Sequence, residues 1–154
     1  MAKITADQIR RLRDETGAPI ANVKKTLEQF DGDEAKALKL LKKEGFEKAA
    51  KRVDRETSQG VIAHYLHHSG KLGVMVEILC ETDFVARNEL FVQLGKDVAM
   101  QISFSNPKDL KELLDQDFIK DSSQKISDLV KAVIAKTGEN IRIGRFNRIE
   151  LGKE

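Results

Sequence analysis

The segment "VMVEILCETDFVARN", residues 74–88, contains the change of pattern from which the fold can be read. Its first half alternates as a β-strand does, so four side chains are expected on one face: Val74, Val76, Ile78 and Cys80. Its end suits the start of a helix, because Asn88 is a favoured N-cap and Glu89 would interact well with the helix dipole. Residues 82–85 are therefore predicted to form a tight corner between a strand and a helix.

Phe84 lies in this corner, with Asp83 before it and Arg87 after it. It could instead extend the apolar stripe of the following helix backwards, since Phe91 comes seven residues later. Arg87 and Asn88 interrupt that stripe, which favours an exposed ring, although composition alone leaves the two interpretations near even. An exposed aromatic side chain flanked by charge is the usual form of an interface anchor.

The flanking sequence predicts a small antiparallel sheet with helices. Residues 61–67 are rich in β-forming residues, and Ser69-Gly70 separates them from the strand at 72–80 as a hairpin turn would. Helical patterns cover residues 88–103 and 126–136, while residues 109–114 form a short helix at most. The last strand is predicted at 140–151, with four apolar side chains sharing its inner face: Ile141, Ile143, Ile149 and Leu151.

The first fifty residues predict three short amphipathic helices. Thr5 or Asp7 can cap the first helix and Gly17 can end it, whereas the third is expected to stop near Gly45. The fold class is therefore α+β: a three-helix module at 1–50, a linker at 51–59 and an antiparallel sheet packed with helices at 60–154.

Composition excludes several classes of protein. The net charge of +2 over 154 residues is too small for a dedicated nucleic-acid binder. A single cysteine suits a reducing cytosol, and no signal peptide or membrane span is recognisable, so a cytoplasmic protein is expected. Alternation along a strand separates His67 from His64 and His68, and no phosphate loop or paired carboxylates are present. We therefore predict no metal site, no cofactor and no enzymatic active site.

Three stretches of the sequence are distinctive: "TDFVARN" at 82–88, "LRDETGAPIANVKKTLEQFDGDEAKALKLLKKEG" at 12–45 and "IAKTGENIRIGRFNRIELG" at 134–152. All three resemble the translation elongation factor Ts family. Residues 107–126 look shorter than the helical insertion expected there, and the second core subdomain of longer members is missing. The resemblance implies a short form with one core subdomain and a UBA-like N-terminal module.

The same resemblance implies a function and its residues. The chain would be a guanine-nucleotide exchange factor for elongation factor Tu, binding it in the GDP-bound and nucleotide-free states. Four residues would dislodge Mg²⁺ from that partner: Thr82, Asp83, Phe84 and Val85. The N-terminal module would bind a helix of the same G domain through Arg13, Ile20 and Ala21. A two-fold homodimer paired through the sheets, with the final strand involved, is also expected.

A different class of function remains open at this point. Residues 36–55 are rich in Lys and Arg, which predicts either a solvated helical face or an RNA-binding surface of a translation accessory protein. No aromatic side chain in this stretch is placed to stack on bases, which favours the solvated face. A passive scaffold that binds a peptide helix is a further alternative.

Overall fold

A computed structural model describes residues 2–154. The helices are α1 (Ala6–Thr16), α2 (Ile20–Gln29), α3 (Glu34–Ala50), α4 (Asp83–Ala86), α5 (Glu89–Ser105), α6 (Leu110–Asp115) and α7 (Ile126–Thr137). The strands are β1 (Gln59–Leu66), β2 (Leu72–Cys80), β3 (Asp117–Phe118), β4 (Asp121–Lys125) and β5 (Arg142–Glu150). This mixture of helices and antiparallel sheet confirms the α+β class.

The N-terminal helices begin and end where the capping residues predict. Thr5 caps α1, since its hydroxyl accepts a hydrogen bond from the Gln8 N–H and the Gln8 side chain accepts one from the Thr5 N–H. Gly17 ends α1 in the left-handed conformation, with φ of 70°. The three helices enclose a small apolar cluster of their own, formed by Leu12, Val23, Leu27, Ala37 and Leu41.

Helix α3 does not stop near Gly45, so that prediction was wrong. The helix continues to Ala50, and Ala49 joins the larger apolar cluster of the sheet. Gly45 lies where α3 packs on α7, and a Cβ built on it would come within 3.2 Å of the Ala135 Cβ. Glycine therefore acts here as a close-packing residue inside a helix rather than as a helix stop.

The main sheet has the order β1-β2-β5 and is antiparallel throughout. Strand β2 is central, and its inner face carries the buried Val74, Val76, Ile78 and Cys80, as the alternation predicts. Helix α5 packs against β1 and β2 on this face, and α7 packs against α5. The core therefore lies on one side of the sheet.

The four apolar residues of the last strand do not share one face. Ile141 and Ile143 are buried, but Ile149 and Leu151 are exposed. The reason is a bulge: Ile78 pairs with Ile143 and Val76 with Phe146, so β5 has one residue more than β2 between these pairs. The extra residue reverses the alternation, which places Ile149 on the outer face.

A two-stranded hairpin, β3–β4, lies between α6 and α7 and was not predicted. The buried side chain of Gln101 holds this hairpin, because its amide donates to the Asp117 carbonyl at 3.1 Å and accepts from the Ile119 N–H at 2.9 Å.

Within residues 2–154, no helix is both long and apolar enough to cross a membrane.

Candidate functional site

The corner after β2 is a single helical turn, α4, that holds Phe84 away from the core. The ring of Phe84 is 80% exposed, whereas the next two residues, Val85 and Ala86, are buried in the main cluster. Asn88 then caps α5, its side chain accepting from the Leu90 N–H at 2.8 Å. The exposed corner expected from the sequence is therefore present, while the role of Phe84 toward a partner stays a prediction.

An ion pair flanks the exposed ring. Asp83 and Arg87 lie one turn apart, and their Oδ2 and Nη2 atoms are 2.5 Å from each other. The guanidinium also donates to the Asp83 carbonyl through Nε. Both side chains are more than half exposed, so this pair contributes little to stability. It leaves both charges at the surface beside Phe84, where a partner can reach them.

The inner side of the corner is held by Glu139, which follows α7. One oxygen of its carboxylate, Oε1, accepts the N–H groups of Glu81 and Thr82 at 3.1 and 2.9 Å. The other oxygen, Oε2, accepts the Thr82 hydroxyl at 2.6 Å. The same hydroxyl accepts the Val85 N–H at 3.4 Å and so caps α4.

Below this corner, Cys80 is buried, and its thiol donates to the Thr82 carbonyl at 3.1 Å. Burial raises the pKa of the Cys80 thiol, and the nearby Glu139 carboxylate raises it further. A thiol held protonated in this way is a poor nucleophile, so Cys80 serves as a small buried residue under the corner.

The turn that carries Glu139 is itself anchored by Asn140, which is only 3% exposed. The Asn140 side chain donates to the carbonyl of Arg55 at 2.8 Å, and its backbone N–H donates to the Glu81 carboxylate at 2.7 Å. Arg55 in turn donates to the Gly138 carbonyl and lies 3.5 Å from Glu81. These residues were not predicted from the sequence; the only signal for them is that a Glu and an Asn directly follow Gly138, which ends α7.

The three N-terminal candidates lie around the turn between α1 and α2. Arg13 is in the last turn of α1, while Ile20 and Ala21 begin α2. All three side chains are exposed, and Ile20 is one of the exposed large apolar residues of the chain. These three residues belong to the N-terminal helices, whereas residues 82–85 follow strand β2.

The outer face of the sheet, opposite the face on which α5 packs, carries exposed apolar side chains. Four of them are more than half exposed: Ile62, Leu66, Met75 and Ile149. The strand register places all four on the side opposite the core, because Leu66 pairs with Gly73, and Gly73 pairs with Ile149. Several apolar side chains exposed on one face of a sheet are typical of an interaction surface.

One ion pair lies on this outer face. The Glu77 carboxylate accepts hydrogen bonds from the Arg145 side chain, at 2.7 Å from Nε, and from its backbone N–H. These bonds hold the pKa of Glu77 at about 2, well below its ordinary value. Glu77 is therefore ionised at every pH at which the protein is expected to work.

The basic stretch at 36–55 is not one continuous free surface. Four of its eight cationic side chains contact a carboxylate or carbonyl oxygen of the chain: Lys36, Lys42, Arg52 and Arg55.

Among residues 2–154, no three His, Cys, Asp or Glu side chains come together as metal ligands would.

Comparison with known proteins identifies the family. The model of the family described as "Elongation factor TS" matches residues 81–154, which include the corner and the Glu139 turn. "Elongation factor Ts" of Oleidesulfovibrio alaskensis is 41% identical over 197 aligned positions, covering 99% of this chain and 100% of the relative. The relative from Solidesulfovibrio magneticus is 41% identical with full coverage of both chains, and that from Leptospira biflexa is 37% identical over 97% and 98%.

The aligned lengths exceed the 154 residues of this chain, so these relatives carry several tens of positions that it lacks. The similarity nevertheless runs along the whole chain, and every identity is well above the level at which only a fold is shared. The chain therefore belongs to the elongation factor Ts family.

Proposed function

We propose that the chain accelerates GDP release from elongation factor Tu by inserting Phe84 into the G domain and displacing the bound Mg²⁺. Family membership makes the chain a nucleotide exchange factor for elongation factor Tu in translation rather than an enzyme. The observation that carries the finer proposal is the 80% exposure of Phe84 on a turn whose next two residues are buried. A ring presented in this way can enter a partner without prior rearrangement of its own chain.

The energetics are adequate for a local displacement in the partner. Burying a phenylalanine side chain contributes roughly 1.5–3 kcal/mol, and most of this one is still available because the ring is exposed. Loss of Mg²⁺ removes the charge that neutralises the diphosphate, so the affinity for GDP falls. Coupling is reciprocal, so a returning nucleotide with its Mg²⁺ weakens the binding of the exchange factor to the same extent.

Thr82, Asp83 and Val85 act with Phe84 in this proposal. Thr82 caps the turn, Val85 anchors it in the core, and Asp83 presents a carboxylate beside the ring. The exposed side chains of Arg13, Ile20 and Ala21 bind a second helix of the G domain and supply affinity without disturbing the nucleotide site. They lie on the UBA-like module that we assign to residues 1–50, joined to the core at 60–154 by residues 51–59.

We further propose that two copies pair through the outer faces of their sheets, so that one molecule of elongation factor Tu can contact both. The support is the outer face with Ile62, Leu66, Met75 and Ile149, each of which is more than half exposed. Both edge strands contribute to this face, β1 through Ile62 and Leu66 and β5 through Ile149.

The test is the release of fluorescent GDP from elongation factor Tu, measured with the native chain and with Phe84→Ala. We expect strong acceleration by the native chain and a large loss with the variant. Phe104→Ala is the matched control, because Phe104 is also an exposed phenylalanine, at 76%, and lies at the far end of α5. It should accelerate release as the native chain does.

Equal acceleration by Phe84→Ala and the native chain would refute the insertion mechanism. Equal losses with Phe84→Ala and Phe104→Ala would show that any exposed aromatic side chain matters, and this would also contradict a specific role for the corner. Thermal unfolding of both variants checks that they fold, and the exposure of both rings predicts native-like transitions.

A further inference from the structure

We infer that Glu139 is a positioning residue for Phe84 and fixes the corner in the orientation needed for nucleotide exchange. This inference rests on the proposed function of Phe84. Its basis is that one carboxylate accepts three hydrogen bonds from the residues that lead into α4: the N–H groups of Glu81 and Thr82, and the Thr82 hydroxyl.

These hydrogen bonds act on the turn through Thr82. The hydroxyl of Thr82 has one proton, which it donates to Glu139, so its lone pairs remain directed at the Val85 N–H. Glu139 thereby selects the side-chain orientation in which Thr82 caps α4. Because α4 has only four residues, this cap and the burial of Val85 and Ala86 determine where the Phe84 ring points.

The position of Glu139 is determined by contacts on the far side of its turn. Gly138 ends α7 in the left-handed conformation, with φ of 77°. The buried Asn140 side chain donates to the carbonyl of Arg55 in the segment between α3 and β1. Glu81 accepts the Asn140 N–H, so the corner and the turn hold each other by reciprocal bonds between neighbouring residues. Glu139 itself is half-buried, whereas Phe84 is 80% exposed.

Charge explains why a carboxylate suits this position. Backbone and hydroxyl donors bind an ionised acceptor more strongly than a neutral one, and an ionised carboxylate has lone pairs for all three donors at once. A glutamine retains an amide oxygen for the two backbone N–H groups, and its amide nitrogen can donate to the Thr82 oxygen instead. The glutamine variant should therefore preserve much of the geometry, whereas alanine removes all three contacts.

The test measures GDP release from elongation factor Tu over a range of concentrations of the full chain carrying Glu139→Ala or Glu139→Gln. We expect Glu139→Ala to lower the maximal rate by roughly tenfold or more while the half-saturating concentration changes much less. Glu139→Gln should recover most of the rate. Glu47→Ala is the matched control, since Glu47 is an exposed carboxylate on α3, and it should behave as the native chain does.

A double variant separates positioning from a general structural role. If Glu139 acts through Phe84, then Glu139→Ala combined with Phe84→Ala should be no slower than Phe84→Ala alone. Additive losses, or a rise confined to the half-saturating concentration, would overturn the inference.

If Glu139→Ala reaches the native maximal rate while Phe84→Ala is slow, this inference is overturned and the proposed function of Phe84 is not. The native rate with Phe84→Ala would overturn the proposed function as well. Should Glu139→Ala unfold below the assay temperature, Glu139→Asp decides, because it keeps the charge but its shorter side chain cannot reach all three donors. A lower maximal rate at a near-native half-saturating concentration supports positioning, and the native maximal rate contradicts it.

Discussion

Replacing Ile62 by alanine should weaken the proposed homodimer, and the size of the effect can be worked out from the exposure of that side chain. Ile62 is 62% exposed in the single chain, so about three fifths of its apolar surface is available for burial in a dimer. Complete burial of such a side chain contributes roughly 1.5–3 kcal/mol, which leaves about 1–2 kcal/mol per copy. Two-fold symmetry places the substitution on both sides of the interface and doubles the loss to roughly 2–4 kcal/mol.

Since 1.4 kcal/mol corresponds to a factor of ten, the dimer dissociation constant should rise by roughly 30- to 700-fold. Sedimentation equilibrium or light scattering over a concentration series measures this constant. Val53→Ala is the matched control, because Val53 is equally exposed, at 63%, but follows α3 and lies outside the sheet. A monomeric mass for the native chain at micromolar concentration, or the native dissociation constant for Ile62→Ala, would refute the reasoning.

Two further predictions concern the ion pair on the sheet and the helical module. The Arg145 hydrogen bonds lower the pKa of Glu77 from 4.5 to about 2, so the stability that this carboxylate contributes is complete above pH 4.5 and is lost as the pH falls toward 2. Glu77→Gln should therefore unfold more easily than the native chain at pH 7 and equally easily near pH 2 in thermal unfolding; a difference independent of pH would contradict this. Ile20→Ala should raise the half-saturating concentration for GDP release by roughly fivefold and leave the maximal rate unchanged, because Ile20 is 53% exposed and contributes affinity only. A lower maximal rate would show that Ile20 takes part in nucleotide displacement.

Local signals in the sequence were sufficient to predict a structural feature wherever one residue type has a strong conformational preference. Thr5 and Asn88 cap helices through their side-chain oxygens. Gly17 and Gly138 end helices because a residue without a side chain readily adopts the left-handed conformation. The alternation in residues 72–80 gave the central strand with its observed bounds. The same local reasoning gave the exposed corner at Phe84, because the helix start at Asn88 separates it from the apolar stripe that follows.

Features set by contacts between distant segments could not be read in this way. Gly45 has the appearance of a helix stop, but its role depends on the approach of Ala135, ninety positions later in the chain. The bulge in β5 depends on pairing with β2, and without it Ile149 reads as a core residue. The polar strand Asp121–Lys125 has no apolar alternation, and its hairpin depends on the buried amide of Gln101.

The role of Glu139 also depends on contacts between segments that are distant in the sequence. Nothing in its neighbourhood in the sequence indicates that it binds Glu81 and Thr82, which lie 58 and 57 positions earlier. A half-buried carboxylate next to a helix end is recognisable as a positioning group only after the fold brings the two turns together.

The most direct test of the central claim follows the metal ion itself. Elongation factor Tu is loaded with GDP and with Mn²⁺ in place of Mg²⁺, and the electron paramagnetic resonance signal of free Mn²⁺ is recorded on mixing with the chain. Insertion of Phe84 predicts that free Mn²⁺ appears no later than free GDP with the native chain and with Phe104→Ala, but not with Phe84→Ala. Release of GDP before Mn²⁺, or equal release of Mn²⁺ by Phe84→Ala, would contradict the account.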